Sequence, residues 1–157
     1  MNHPKKDEVA VGKAGLSIDT IIIDPFGDIR RAKERKDWPA GLSASVTYFK
    51  HFGTIKLKGY FKHHGIGLDE KTREVKEMFV EFIGGLTVDK MITLLYCLDI
   101  IDESLYNQMK EVNSERNKLL HPEKKGIAYR FHDEERFARL LDQASRCVET
   151  LSHIRVE

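Results

Sequence analysis

The amino-acid sequence predicts an all-α protein, an antiparallel bundle of four to five helices preceded by an irregular N-terminal extension. Three observations predict it. From Trp38 onward, apolar residues recur at three- and four-residue intervals, as in Leu105, Met109, Val112 and Leu119, or Phe137, Leu141, Ala144, Val148 and Leu151. Capping residues and Pro or Gly punctuation divide these stretches into helix-length segments. Only one β-branched run, residues 17–23 (SIDTIII), has the composition of a strand, and a lone strand needs a partner.

The extension comprises residues 1–37, read as a tail or arm that is partly extended; residues 38–157 form the bundle. Within the extension, residues 1–15 mix charge, glycine and small side chains, and residues 28–37 (DIRRAKERKD) read as a short charged helix. Its Arg30, Arg31, Lys33, Arg35 and Lys36 suit either an RNA backbone or a solvated face paired with neighbouring acids, and the interleaved Asp and Glu favour the second. Trp38-Pro39 opens the first long helix, since proline is acceptable in a first turn. Leu42, Val46, Phe49, Phe52, Ile55, Leu57 and Tyr60 cover a wide arc of it, so it should be packed on two sides, by the bundle and by a second subunit. The same helix bears Lys50, His51, Lys56, Lys58, Lys62, His63 and His64 with almost no acid. Side chains of adjacent helical residues diverge by about 100°, so His63 and His64 do not make a metal site.

After Gly65-Ile66-Gly67, Asp69 is the expected cap of the next helix, with Val75, Phe79, Phe82 and Leu86 inward. Gly84-Gly85 lacks the rest of a phosphate-loop fingerprint and reads as a C-cap and hinge. Thr87 caps a third helix with Val88, Met91, Leu94, Leu95 and Leu98 in the core, and Asp102 caps a fourth. The last helix begins near Asp133. Cys97 and Cys147 lie in apolar stretches without a C-x2-C companion, as expected of two buried thiols in a reducing compartment.

At 157 residues the chain suffices for one domain with a real core. A net charge of +1 excludes a global polycation, so any affinity for nucleic acid must come from local clustering. No apolar run approaches the ~20 residues of a membrane span, and the N-terminus lacks the apolar core of a secretory signal. A soluble, cytoplasmic protein with no membrane association is expected.

The fourth helix carries the chemistry. Between Val112 and Leu119 the stripe is interrupted by Arg116, a guanidinium where the pattern calls for an aliphatic side chain, and its donors need an anion or good acceptors. His121 precedes Pro122, which pushes it out of the α region and ends the helix there. Separately, each residue has a plain structural reading: Arg116 tied to Glu77 or Asp99, His121 as a C-capping side chain.

Together, Arg116-Asn117-Lys118-Leu119-Leu120-His121 matches the R-N-x3-H form of the R-x4-6-H signature, and on these residues the chain resembles the HEPN domain family over residues 38–156. The resemblance implies a small all-α bundle, a homodimer, and a metal-independent endoribonuclease without cofactor, of toxin, defence or RNA-processing type. The catalytic set would be Arg116, Asn117 and His121, with Lys118, Lys124, Lys125, Lys56 and Lys62 along the RNA backbone. An alternative in the same family is a non-catalytic binding or assembly module that partners a separate nucleotidyltransferase, as toxin to antitoxin, or nucleic acid. On a regular helix, residues five apart differ by about 140° and about 7.5 Å, so Arg116 and His121 of one chain do not converge. A dimer that places two motifs in one cleft would bring them together.

Overall fold

The computed structural model describes residues 24–64, 70–121 and 133–156. They form six helices: α1 Pro25–Glu34, α2 Trp38–His63, α3 Arg73–Gly85, α4 Val88–Cys97, α5 Glu103–Leu120 and α6 Glu134–His153. Among the described residues there is no strand; the 17–23 run lies outside them. Among the described residues no helix is long and apolar enough to cross a membrane.

Helix α2 is the axis, and each of the other five packs against it. Its wide apolar arc is therefore covered largely from within the chain: Leu42, Phe49 and Leu57 are fully buried, whereas Ile55 faces outward. Side-chain contacts fix the directions. Tyr48 bonds Asp28, and Lys50 donates to the carbonyl of Leu86, while Phe61 meets Phe79, so α1 and α3 both run antiparallel to α2. Trp38 stacks on Phe137 at 6.0 Å and Lys56 reaches the carbonyls of Ser152 and Ile154, so α6 runs parallel to α2. Gln143 donates to the Gln108 carbonyl and Arg136 pairs with Glu115, which sets α5 antiparallel to α6. Chain neighbours alternate up and down, as short connections require.

Five of the six, α2 to α6, are the bundle expected from residue 38 onward, and the charged segment of the extension adds α1, which is packed rather than merely solvated. Asp24 caps α1 by accepting from the Gly27 amide at 2.8 Å, and Ile29 and Ala32 are buried against α2 and α6. The cations of α1 are paired as a solvated face: Arg31 with Asp28, Lys33 with Asp142, Lys36 with Glu134. The Tyr48–Asp28 bond anchors its first turn. Burial and that bond push the Tyr48 hydroxyl up to about 12, while the same bond and Arg31 hold the Asp28 carboxyl below its ordinary value.

Two helix ends are closed by Schellman turns without glycine. Lys36 (φ 57°) and Asp99 (φ 55°) take the left-handed conformation, with Asp37 N–H bonded to Ala32 and Ile100 N–H to Leu95. Asp37 then caps α2. Thr87 and Asp102 cap α4 and α5 as expected, and Asp133, near which the last helix was expected to begin, caps α6.

Helix α3 departs from its expectation. It begins at Arg73 with Thr72 as cap, so Asp69, which lies outside the described residues, is not the cap. Its inward residues are Ile83 and, in part, Phe79; Val75 and Phe82 are exposed. The helix continues through Gly84 and Gly85 and is closed by Leu86 in an extended conformation. Cys97 is likewise exposed, at the last turn of α4, whereas Cys147 is buried and burial pushes its thiol up to about 12.

Candidate nucleic-acid site at the end of helix five

Helix α5 ends where the Pro122 restriction predicts. Leu120 is its last residue, and His121 leaves the helix at φ −135°, ψ 58° while its amide bonds the Asn117 carbonyl at 3.0 Å. The His121 side chain is exposed. Leu105, Met109 and Val112 are buried as their spacing requires.

Beyond Val112 the seam holds charge. Arg116 is half-buried: its Nε is occluded and has no hydrogen-bond partner among the described residues, while Nη1 donates to Asn117 Oδ1 at 3.0 Å. Neither Glu77, paired with Arg73, nor Asp99 holds it. Among the described residues no carboxylate pairs with it, and the Asn117 acceptor is a neutral amide.

The more deeply buried charge is the adjacent Glu115, 4% exposed, which the sequence reading passed over. Its carboxylate accepts from Lys118 at 2.6 Å within the helix and forms an ion pair at 2.8 Å with Arg136, in the first turn of α6. A step of three from Val112 lands on Glu115 and a step of four on Arg116, so the apolar series admitted either. The available signal was the Glu115/Lys118 pair at i, i+3. Arg136 also lies against the Phe137 ring, 6.0 Å from its centroid. Among the described residues, Lys118 and Arg136 thus set two cations against the Glu115 carboxylate, and Arg116 adjoins it in the helix.

Other expected RNA contacts fall elsewhere. Lys56 is half-buried and spends its donors on α6 carbonyls, Ser152 at 2.9 Å and Ile154 at 2.5 Å, and burial lowers its pKa. It caps the C-terminal end of α6, whereas Arg116 stands beside the N-terminal end. The sixteen residues from Arg136 to Ser152 put roughly 24 Å between these two ends. Lys62 is exposed still farther along α2. Within one chain, neither lysine joins Arg116. Lys118 is at the site but engaged by Glu115; Lys124 and Lys125 lie outside the described residues. His64 is stacked on Tyr60 at 4.0 Å. Among the described residues no three His, Cys, Asp or Glu side chains gather as metal ligands.

The chain matches no protein-family model, no curated protein and no solved structure in the comparisons made.

Proposed function

We propose that the protein is a metal-independent endoribonuclease of HEPN type, acting as a homodimer with Arg116, Asn117 and His121 at its site. The observation that carries this reading is a half-buried guanidinium whose side-chain bond among the described residues is to the neutral Asn117, five residues before a histidine at the exposed end of the same helix. A guanidinium that can bind phosphate and an exposed imidazole that can move a proton are the groups that cleaving a phosphodiester requires, and two motifs in one dimer cleft would bring them together.

The residue types assign the steps. RNA supplies its own nucleophile, the 2′-hydroxyl, which DNA lacks. The 2′-oxygen attacks phosphorus while His121 takes its proton, or a histidine protonates the 5′-oxygen as the P–O5′ bond breaks; the products carry 2′,3′-cyclic phosphate and 5′-hydroxyl ends. Arg116 holds the non-bridging oxygens and stabilises the charge that develops there, with Asn117 orienting it. Lys118 and Arg136, drawn in by Glu115, add positive potential along the flanking backbone.

The test is cleavage of single-stranded RNA in EDTA by wild type and His121→Ala. Loss of a general acid–base costs about two to four orders of magnitude in rate, so the variant should bind RNA with affinity near wild type and scarcely cut it. A 2′-deoxy sugar at the cleavage position should block the reaction. Cleavage of the deoxy substrate, or full activity in the variant, would overturn the mechanism. A wild type inert on varied RNAs would favour the second reading, a non-catalytic module for a separate nucleotidyltransferase.

A further inference from the structure

The C-terminal ends of three helices meet around one cavity. Tyr60 lies in the last turn of α2 and His64 is its C-cap, Leu98 is the C-cap of α4, and Ile154 is that of α6. All four line a cavity of about 390 Å³. Small-molecule sites usually enclose about 300–1,000 Å³. Partly buried Ile100 and Val156 join Leu98 and Ile154 in an aliphatic wall. His64 stacks on Tyr60 with ring centroids 4.0 Å apart and planes 14° from parallel, and its Nδ1 donates to the Tyr60 carbonyl at 3.1 Å. The two rings thus form a fixed flat surface.

Two ionised residues, Asp99 and Arg155, complete the lining. Both are exposed, and among the described residues neither side chain has a hydrogen bond or an ion pair, with the other or with any neighbour. Opposite charges that line one cavity without neutralising each other suit a ligand that carries both signs. Asp99 also takes φ 55°, where glycine fits without strain, so the turn gives up stability to present a carboxylate. The surrounding field selects the ligand further. A helix C-terminus carries the equivalent of about half a negative charge. Lys56 offsets that charge at α6, through the carbonyls of Ser152 and Ile154, and the ends of α2 and α4 favour a positive group. A phosphate dianion would meet this potential with Arg155 alone, whereas an ammonium gains from both the helix ends and Asp99.

We propose that this cavity binds a zwitterionic α-amino acid with an aromatic side chain. The ammonium sits at Asp99 and the helix ends, the carboxylate on the Arg155 guanidinium, and the ring against the Tyr60–His64 stack and the aliphatic wall. The site lies at the end of α6 opposite to the one beside Arg116, and it is independent of the ribonuclease reading.

Titration of the isotope-labelled full chain with L-phenylalanine, followed by amide NMR shifts, tests it. Additions to about 10 mM give a tenfold excess over a Kd of about 1 mM, which is weak binding. Saturable shifts should appear at residues 98–100 and 154–156. Hydrocinnamate, which lacks the ammonium, and phenethylamine, which lacks the carboxylate, should each bind at least about tenfold more weakly, the worth of one charge-assisted hydrogen bond. Asp99→Asn keeps a residue type that tolerates the left-handed turn, and should lose affinity by the same factor at an unchanged melting temperature. Asp99→Gly, which suits the turn better still, repeats the test with the fold secured. The proposal is overturned if those residues show no saturable shift, or if hydrocinnamate binds as tightly as phenylalanine. Tighter binding of guanosine monophosphate than of phenylalanine, or full affinity in both Asp99 variants, would overturn it equally.

Discussion

Glu115 and Arg116 are consecutive, oppositely charged and both partly enclosed, yet the structure treats them differently. Glu115 is a satisfied anion that ties α5 to α6 through Arg136 and to its own helix through Lys118. Among the described residues, Arg116 has an occluded Nε without a partner and one side-chain bond, to a neutral amide. Removing one member of a buried network leaves the others to be rehydrated, which the partial exposure of Lys118 and Arg136 makes less costly than in a sealed core. Glu115→Ala should therefore destabilise the fold by about 1–3 kcal/mol. Arg116→Ala relieves an unpaired buried donor and introduces the best helix former, so its stability should stay within about 1 kcal/mol of wild type. Urea unfolding of the two variants side by side decides the matter. A larger loss from Arg116→Ala than from Glu115→Ala would make the arginine a structural anchor and take away the argument that it is kept for a ligand.

At the scale of elements, the helices meet α2 at points where a side chain would not fit. A Cβ on Gly41 would lie 2.7 Å from Leu141 Cδ1 and 3.1 Å from Ala32 Cβ, at the junction of α1, α2 and α6. Gly59, on the same helix, would place its Cβ against Val156 alone, at 3.8 Å. Both glycines are helical, so alanine gains about 0.5–1 kcal/mol of propensity at either. At Gly59 that gain should appear as a higher melting temperature. At Gly41, overpacking of fully buried Leu141 should outweigh it, giving a net loss of about 1–2 kcal/mol. Equal shifts in thermal unfolding would show that α1 and α6 are not seated against α2 as described.

The same scale explains what could be read in the sequence. The caps at Asp102, Thr87 and Asp133 and the stop at His121 are local chemistry, decided by residues within one turn, and they were legible. So was the apolar stripe of α6. The end of α1 was not, because Lys36 closes its Schellman turn without the glycine that usually marks one. The face of α3 was not, because Val75, Phe79, Phe82 and Ile83 share one broad arc and only the placement of α2 selects which edge is covered. At the site, Arg116, Asn117 and His121 stood out as residue types in a motif, while Glu115 needed Arg136, twenty-one residues on, to acquire meaning. Lys56 looked like a surface cation until α6 supplied the carbonyls it caps.

At the scale of the whole molecule, the proposed ribonuclease reading requires Arg116 and His121 to serve one phosphate. Helix α5 is regular from Glu103 to Leu120, so their directions diverge by about 140° along about 7.5 Å of rise until His121 turns away. Under the proposed ribonuclease reading, a two-fold contact at the ends of two α5 helices would let Arg116 of one subunit and the partner's His121 face the same scissile bond. Subunit mixing distinguishes this from a site built within one chain. Arg116→Ala and His121→Ala homodimers should each be inactive. After exchange at equal concentrations, half the dimers are hybrids, and each hybrid contains one complete composite site out of two. The mixture should recover about a quarter of wild-type RNase activity, with hybrid formation verified by mass. If each site were assembled within a single chain, no hybrid would contain an intact one and the mixture would stay as inactive as its components. A wild type that scatters light as a monomer at micromolar concentration would remove the shared cleft altogether.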